Sequence, residues 1–516
     1  MPLNPQQIKA AEARQTAAAQ DPSAFVRLVA GPGTGKSASI EQRFLWLLNM
    51  GVAARNICGI SFTRAASKDL RLRASAYCAK NGQSPPGAGL RVTTLHSLAL
   101  TTLLKANQLT GYPVPPVVLD EWELRNVFDA EFASASNRTP GRAQRIRRDR
   151  EAFWVTGQLN PPNYALAKPP IGPGERADFD KFQRLAAEAY ACVVPGSVVR
   201  QCVQLIHAGR LSPVPEIDVR HLIVDEYQDL NPLDIKFIDL IGADGAQVFV
   251  AGDDDQSIYS FRFASPTGIQ DFLQRHSAAT SHLLDASFRS APLIVDAANT
   301  LIQKYSGGTR IPKNLSSMWS GATPAVSGVV CRWLFASDKA EASAVAKSAA
   351  SLIAAGVPAN EIMLLISNTK VFPTLRKALE RECVAYVPPK EASWADSEGG
   401  KFVLGILRTV SSLGMDYVAY RLILGCRRGV GISTCQQIAK RCANKKLDFG
   451  DLFTKPLPAA VFDSRQTDAL SHAATVCQSI STWTSNDCRL PRTWDHPLPI
   501  TRDHPSARSE SPRMVA

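Results

Sequence analysis

Short apolar runs alternate with longer amphipathic stretches along this chain of 516 residues. Runs that predict buried strands lie at residues 25–29, 222–224, 248–251, 329–335 and 362–366. Residues 40–48 have the apolar spacing of an amphipathic helix, and residues 370–382 predict another. Strands that alternate with helices indicate an α/β fold built on a parallel sheet.

The turn between the first strand and the first of these helices reads AGPGTGKS, residues 30–37. Glycines at this position let backbone N–H groups turn toward phosphate oxygens at the positive end of the helix dipole. Lysine adds a point charge on the β- and γ-phosphates, and serine adds a hydroxyl ligand for Mg²⁺. The alternative is a glycine-rich turn with a chance lysine, but the strand–turn–helix context favours a P-loop. The predicted nucleotide-binding residues here are Gly31, Gly33, Thr34, Gly35, Lys36 and Ser37.

Carboxylates follow two further predicted strands. The sequence DEYQD begins at Asp225, which is placed to hold Mg²⁺, and Glu226 is the candidate general base for the attacking water. Acidic residues after a strand also form solvated turns and helix caps, so the P-loop is needed to favour catalysis. After residues 248–251 the chain reads GDDDQSIYSFR, in which Gln256 suits the sensing of a γ-phosphate. Phe261 is a candidate for stacking on an unpaired base, whereas Tyr259 is expected to close over the core.

Composition and charge narrow the class of partner. The net charge of +12 favours a polyanionic partner such as nucleic acid. The densest basic run, residues 142–150, has two interpretations: a nucleic-acid contact, or a solvated helix face or loop. The 11 cysteines include no C-x-x-C pair, which removes the usual metal-ligand spacing. The sequence has no apolar run long enough for a bilayer and no secretory signal, so we expect a cytoplasmic protein.

The P-loop and the two acidic segments, together with four further motifs, follow one another in an order and at separations that resemble the UvrD/Rep group of superfamily 1 DNA helicases. LNPQQ at residues 3–7 looks like the Q motif, which implies that Gln7 reads adenine. SFTRAASKDL at residues 61–70 resembles the segment TFTNKAAxEM, which implies that Phe62 lies against a base and Thr63 touches a phosphate. TTLHSL at residues 93–98 is similar to a further DNA-contacting motif and implies a DNA contact for His96.

LLDASFRS at residues 283–290 looks like the motif N-Y-R-S of the same family, with phenylalanine in place of tyrosine. The resemblance implies that Arg289 reaches the γ-phosphate and that Phe288 stacks on adenine. Together with Lys36, Asp225, Glu226 and Gln256, Arg289 completes the predicted catalytic set. The implied cofactors are ATP and Mg²⁺, the latter held by Ser37 and Asp225.

The resemblance also implies a division of the chain. The expected parts are a first RecA-like domain at 1–98 and 205–285, a helical accessory insertion at 99–204, a partial second RecA-like domain at 286–395, the start of a second helical insertion at 396–483, and a disordered tail at 484–516. Two later motifs of the family are not found, so we expect a C-terminally truncated member.

The implied function is an ATP-dependent DNA helicase or translocase that moves 3′ to 5′ on single-stranded DNA and meets duplex junctions. The alternative is a remnant that binds ATP and DNA without unwinding, or that needs a protein partner to supply the missing motifs. An unrelated P-loop kinase would not explain the Q motif or the F-R-S segment.

Overall fold

A computed structural model describes most of the chain. The described residues are 5–83, 89–109, 117–157, 170–190, 192–259, 263–305, 310–319, 327–388, 394–411, 416–425 and 431–487. They form two compact units, Met1–Lys401 and Phe402–Ala516.

A six-stranded sheet organises the first unit. The strands of the described residues are β1 (Phe25–Ala30), β2 (Ile57–Ile60), β3 (Arg91–Thr93), β4 (Val117–Val118), β5 (Cys192–Val193), β6 (His221–Val224), β7 (Gln247–Gly252), β8 (Thr280–Leu284), β9 (Ala286–Ser287) and β10 (Ser316–Ser317). The large sheet has the order β3-β2-β6-β7-β1-β8, and every pair in it is parallel. This arrangement confirms the predicted α/β fold.

Helices cover both faces of this sheet because its central strands are apolar on both sides. The helices of the first part are α1 (Pro5–Ala19), α2 (Lys36–Asn49), α3 (Arg64–Lys80), α4 (Leu95–Lys105), α5 (Glu121–Glu123), α6 (Asp129–Ala135), α7 (Pro140–Thr156), α8 (Pro173–Tyr190), α9 (Pro195–His207), α10 (Pro213–Ile217) and α11 (Pro232–Ala243). One core packs Phe44 and Leu70 beneath β1, and the other packs Leu98 and Phe237 on the opposite side. The carboxyl ends of the strands form the edge at which open α/β sheets generally bind ligands.

The remaining helices follow β7. They are α12 (Thr267–Gln270), α13 (Phe272–Arg275), α14 (Pro292–Tyr305), α15 (Asp338–Ala354), α16 (Phe372–Arg381), α17 (Glu398–Ser411), α18 (Tyr417–Gly425), α19 (Ile432–Lys445), α20 (Asp451–Thr454) and α21 (Ser464–Asp487). None of the helices in the described part of the chain is long and apolar enough to cross a membrane. Helix α21 runs to Asp487, four residues into the segment 484–516 that is predicted to be a disordered tail, and residues 488–516 lie outside the described residues.

The basic run 142–150 lies in α7, and neither interpretation of it holds for most of its arginines. Arg147 donates to both carboxylate oxygens of Asp129 at 2.8 and 3.0 Å, and both side chains are buried. Arg150 makes a similar two-bond contact with Asp180 on α8. These arginines join α7 to α6 and α8, because a buried guanidinium is stable only when its donors are satisfied. Arg145 is exposed.

The two strands predicted at 329–335 and 362–366 were wrong, since the structure describes both segments and neither is a strand. Their apolar side chains are largely exposed: the exposed fraction is 81% for Leu334 and 88% for Leu365. An apolar run becomes a buried strand only when neighbouring strands pair with it. The helix predicted at 370–382 is present as α16, which packs against α15 through Leu375 and Leu379.

In its described part the second unit consists of α18–α21 and most of α17, joined by turns and loops. Its core gathers four aromatic rings, with Tyr420 and Phe449 at a centroid distance of 4.6 Å and Tyr417 and Phe453 packed around them. Cys442 is buried in the same unit, and burial raises the pKa of its thiol to about 12, so it behaves as an apolar core residue.

Candidate nucleotide-binding site

The turn between β1 and α2 has the conformation that the glycine pattern predicts. Gly33 and Gly35 have φ of +72° and +95°, which only glycine adopts without strain. The Thr34 hydroxyl donates to the Gly31 carbonyl at 2.7 Å and closes the loop. Gly35 lies directly before the first turn of α2, so the free backbone N–H groups of that helix face the loop.

A glutamine on α1 that no sequence motif indicates supports this loop. Gln15, on α1, is buried, and its Nε2 donates to the Thr34 carbonyl at 2.9 Å. A side chain at Gly35 would overlap the Gln15 amide, so the close approach also requires glycine. Gln7, the predicted adenine reader, lies on the same helix with its side chain exposed. The spacing within α1 gave no signal that separated the two glutamines.

The P-loop lysine contacts the two carboxylates at the end of β6. The Lys36 Nζ is 3.3 Å from Asp225 Oδ1 and 2.5 Å from Glu226 Oε2. Burial opposes the charged ammonium, but the two carboxylates outweigh it and raise the pKa of Lys36. The structure therefore brings together three of the five predicted catalytic residues. Ser37 follows Lys36 on α2 and is half-buried.

The pKa values of the two carboxylates shift in opposite directions. Burial outweighs the Lys36 charge at Asp225 and raises its pKa. At Glu226 burial also favours the neutral form, but the Lys36 ammonium and the Gln228 amide outweigh it and lower its pKa. Glu226 has φ of +53°, which is uncommon for a residue with a Cβ and typical of functional sites.

Gln228 links Glu226 to the loop after β7. Its Nε2 donates to Glu226 Oε2 at 2.8 Å, and its Oε1 accepts from the backbone N–H of Asp253 at 3.1 Å. The Asp253 carboxylate in turn accepts from Gln256 Nε2 at 2.6 Å. Gln256 is exposed at the end of this chain of polar contacts. The sequence offered Gln228 only as one letter of DEYQD, so its bridging role could not be predicted.

Strand β9 and the residues directly after it pack on the P-loop. The backbone N–H of Phe288 donates to the Gly33 carbonyl at 2.9 Å, and the Ser287 hydroxyl donates to the Pro32 carbonyl at 2.8 Å. A side chain at Gly33 would overlap the Cβ of Arg289. Arg289 is exposed and Phe288 is half-buried, so both predicted residues lie beside the nucleotide loop.

The predicted DNA contacts lie near the same edge of the sheet. Phe62 follows β2, and its ring lies 4.9 Å from the ring of Tyr259 at an interplanar angle of 40°. Tyr259 therefore packs against Phe62 at a tilted angle, and both positions are half-buried, where we expected Tyr259 to close over the core. The Thr63 hydroxyl accepts from the Ala66 N–H and caps α3, and His96 is exposed in the first turn of α4. Phe261 lies outside the described residues.

A parallel sheet with a glycine-rich loop, lysine and carboxylates at its carboxyl edge defines an α/β P-loop nucleotide-binding protein. In agreement, residues 12–262 match a family model described as an AAA domain. The chain is 26% identical over 449 residues to ATP-dependent DNA helicase UvrD2 of Mycobacterium tuberculosis (strain ATCC 25618 / H37Rv), covering 84% of this chain and 62% of that protein. It is 23% identical over 468 residues to DNA helicase II of Escherichia coli (strain K12), covering 89% and 62%.

DNA helicase II of Haemophilus influenzae (strain ATCC 51907 / DSM 11121 / KW20 / Rd) is 26% identical over 422 residues, covering 79% of this chain and 55% of that protein. These matches confirm the resemblance to UvrD/Rep-type superfamily 1 DNA helicases. The chain spans 55–62% of the length of these relatives.

Proposed function

We propose that this chain binds ATP at the P-loop, hydrolyses it in response to single-stranded DNA, and couples hydrolysis to movement along the strand. The observation that carries the proposal is the contact of Lys36 with both Asp225 and Glu226 at the mouth of a parallel sheet. The DNA helicase relatives supply the substrate class.

Each residue beside the P-loop has a role in this proposal. Lys36 exchanges its carboxylate partners for the β- and γ-phosphates of ATP. The Ser37 hydroxyl and the Asp225 carboxylate are oxygen ligands of the kind that Mg²⁺ prefers, so they fit this ion. When bound, Mg²⁺ neutralises charge on the phosphates.

Glu226 is the proposed general base. The Gln228 amide, which helps to lower the pKa of Glu226, stays in place when Lys36 moves to the phosphates. It fixes the orientation of this carboxylate, so Glu226 accepts a proton from the attacking water. Gln256 contacts the γ-phosphate, and Arg289 stabilises the charge that develops there in the transition state.

The remaining proposed contacts bind the adenine base of ATP and the single-stranded DNA. Phe288 stacks on adenine and Gln7 reads its edge. Phe62 stacks on an unpaired base, while Thr63 and His96 contact the strand next to it. We also propose 3′ to 5′ movement, and retain 286–395 as part of a second RecA-like domain.

A specific observation favours a second candidate function, ATP and DNA binding without unwinding. Residues 329–335 and 362–366 leave apolar side chains exposed and form no strand, although the structure describes them. A domain with an incomplete sheet holds its half of a nucleotide cleft less rigidly, which would uncouple hydrolysis from movement.

A strand-displacement assay separates the two candidates. The wild type is mixed with ATP and a short duplex that carries either a 3′ or a 5′ single-stranded tail, and Glu226→Gln serves as the matched control. Displacement of the 3′-tailed duplex alone, lost in Glu226→Gln, supports the helicase. DNA-stimulated hydrolysis without displacement supports the second candidate. If the wild type neither displaces a strand nor hydrolyses ATP, the proposed activity is wrong.

A further inference from the structure

Three consecutive aspartates after β7 surround the ammonium group of one buried lysine. The Lys313 Nζ is 3.0 Å from Asp253 Oδ1 and 2.8 Å from Asp255 Oδ2, and it also contacts Asp254. The exposed fraction of the Lys313 side chain is 1%. The ligand oxygens of the three aspartates lie within 4.8 Å of one another, and the ammonium takes the place that a metal ion would need among them.

The segment that carries Lys313 is fixed to the same loop by independent contacts. The Arg310 Nε is 2.8 and 2.9 Å from the two carboxylate oxygens of Asp255, and Arg310 Nη2 also donates to the Lys313 carbonyl. The backbone N–H of Ile311 donates to Asp254 at 2.8 Å. Two residues beyond Lys313, the side chain of Leu315 fills the space beside Gly31 in the P-loop. The segment 310–315 therefore spans the loop after β7 and the nucleotide loop.

Asp253 connects this cluster to the catalytic residues. One carboxylate oxygen faces Lys313, and the other accepts from Gln256 Nε2 at 2.6 Å. The backbone N–H of Asp253 donates to Gln228, which holds Glu226. Three adjacent carboxylates repel one another when ionised, so they keep this arrangement only while a cation lies among them. Burial alone would lower the pKa of Lys313, but Asp253 and its neighbours outweigh it and raise the pKa.

We propose that Lys313 is a positioning residue for the γ-phosphate response, because its buried ammonium holds Asp253 and Asp253 orients the Gln256 amide toward the nucleotide. The inference rests on the proposed nucleotide site, but it does not require hydrolysis. A lysine that only stabilised the fold would affect all nucleotides alike. A positioning lysine affects only ligands that reach Gln256.

The test compares the affinity of the full chain for ADP with its affinity for ADP–aluminium fluoride, which mimics the γ-phosphate in the transition state. Lys313→Met is expected to leave ADP affinity within about twofold and to weaken ADP–aluminium fluoride binding by about tenfold or more. Gln256→Ala is expected to do the same. Because Lys313 acts through Gln256, the double variant is expected to be no weaker than either single variant.

The affinity test includes a matched control at a distant lysine and a milder variant near Lys313. Lys339→Met, at an exposed lysine of α15, should change neither affinity. If Lys313→Met does not fold, Arg310→Gln removes the second cation from Asp255 and should weaken ADP–aluminium fluoride binding by about threefold with ADP unchanged. The inference would be overturned if the variants lost affinity for both ligands equally, or if the losses added in the double variant. It would also be overturned if Arg310→Gln lost no affinity, or if the wild type bound both ligands equally. Specific loss without any hydrolysis by the wild type would contradict the proposed function alone.

Discussion

Two lysines of this chain each lie among carboxylates, yet they differ in access to solvent. The exposed fraction of the Lys36 side chain is 14%, and that of its partner Glu226 is 36%. Lys313 and two of its three aspartate partners are almost completely buried. A partly exposed ammonium exchanges carboxylate for phosphate oxygens when a nucleotide enters. A fully buried one cannot leave its partners without a large loss of stability.

Burial, and not residue type, separates an exchangeable ion pair from a permanent one. We place Lys36 in the exchangeable class, and Arg289 beside the P-loop is exposed and open to a phosphate in the same way. Lys313 and the Arg147–Asp129 pair of α7 belong to the permanent class. Substitutions in the first class should change activity with little effect on stability, and substitutions in the second should lower stability.

Among the variants that keep Lys36, Arg289→Ala should show the largest loss of ATP hydrolysis. In the described part of the chain the exposed guanidinium forms no ion pair with a buried carboxylate, and its proposed role is to stabilise charge in the transition state. We therefore expect the hydrolysis rate to fall by about 10³-fold with the melting temperature unchanged. Steady-state hydrolysis and thermal unfolding are measured together. The control is Arg381→Ala, at an exposed arginine in the last turn of α16. Equal activity losses in both variants would contradict the role of Arg289.

Arg147→Met should lower stability because it leaves Asp129 buried without its cation. We expect a loss of about 3–5 kcal/mol in the free energy of unfolding. Arg145→Met, at an exposed position two residues earlier on α7, should change it by less than about 0.5 kcal/mol. Chemical denaturation measures both variants. Equal losses of unfolding free energy in the two variants would contradict the distinction between the buried Arg147 and the exposed Arg145 in the basic run 142–150.

Phe62→Ala tests the proposed contact with single-stranded DNA. Loss of one stacking ring should weaken single-stranded DNA binding by about 1–3 kcal/mol. ATP affinity should stay unchanged because Lys36 and its partners are untouched. Fluorescence anisotropy of a labelled oligonucleotide gives the affinity, with Phe335→Ala as the control at an exposed ring. A loss no greater than that of the control would remove Phe62 from the DNA path.

Asp229→Asn should give a small, pH-dependent gain in stability. Burial, then the charge of Glu226, raises the pKa of Asp229 to about 6, and its Oδ1 is buried without a hydrogen-bond partner. The unfolded chain releases this proton near pH 3.9, roughly, so the folded state binds it more tightly between these values and loses stability as the pH rises toward 6.

The Asn variant should therefore exceed the wild type by about 1–2 kcal/mol at pH 7.5 and match it near pH 4. Urea unfolding at several pH values measures the difference. Asp69→Asn, at a carboxylate that is 65% exposed, should show no such trend. A constant difference across the pH range would contradict the raised pKa.

The sequence predicted those features that depend on local pattern. The P-loop, the strands that end near Asp225 and Gln256, and the amphipathic helix after Lys36 each have a signature within about ten residues. Lys313 had none, because it reaches Asp253 from 60 positions away through a segment without regular structure. Arg147 read as a surface charge because its partner Asp129 lies on a different helix. Residues 329–335 had the composition of a strand, but strand formation depends on neighbours that composition does not contain.

The proposed nucleotide site depends on Lys36, which would exchange Asp225 and Glu226 for the phosphates of ATP. The most direct test is ATP hydrolysis by the purified chain with and without single-stranded DNA, in the wild type, Lys36→Ala and Lys80→Ala, the last at an exposed lysine of α3. We expect DNA-stimulated hydrolysis in the wild type and Lys80→Ala, and none in Lys36→Ala. Hydrolysis that persists in Lys36→Ala would mean that Lys36 does not bind the phosphates.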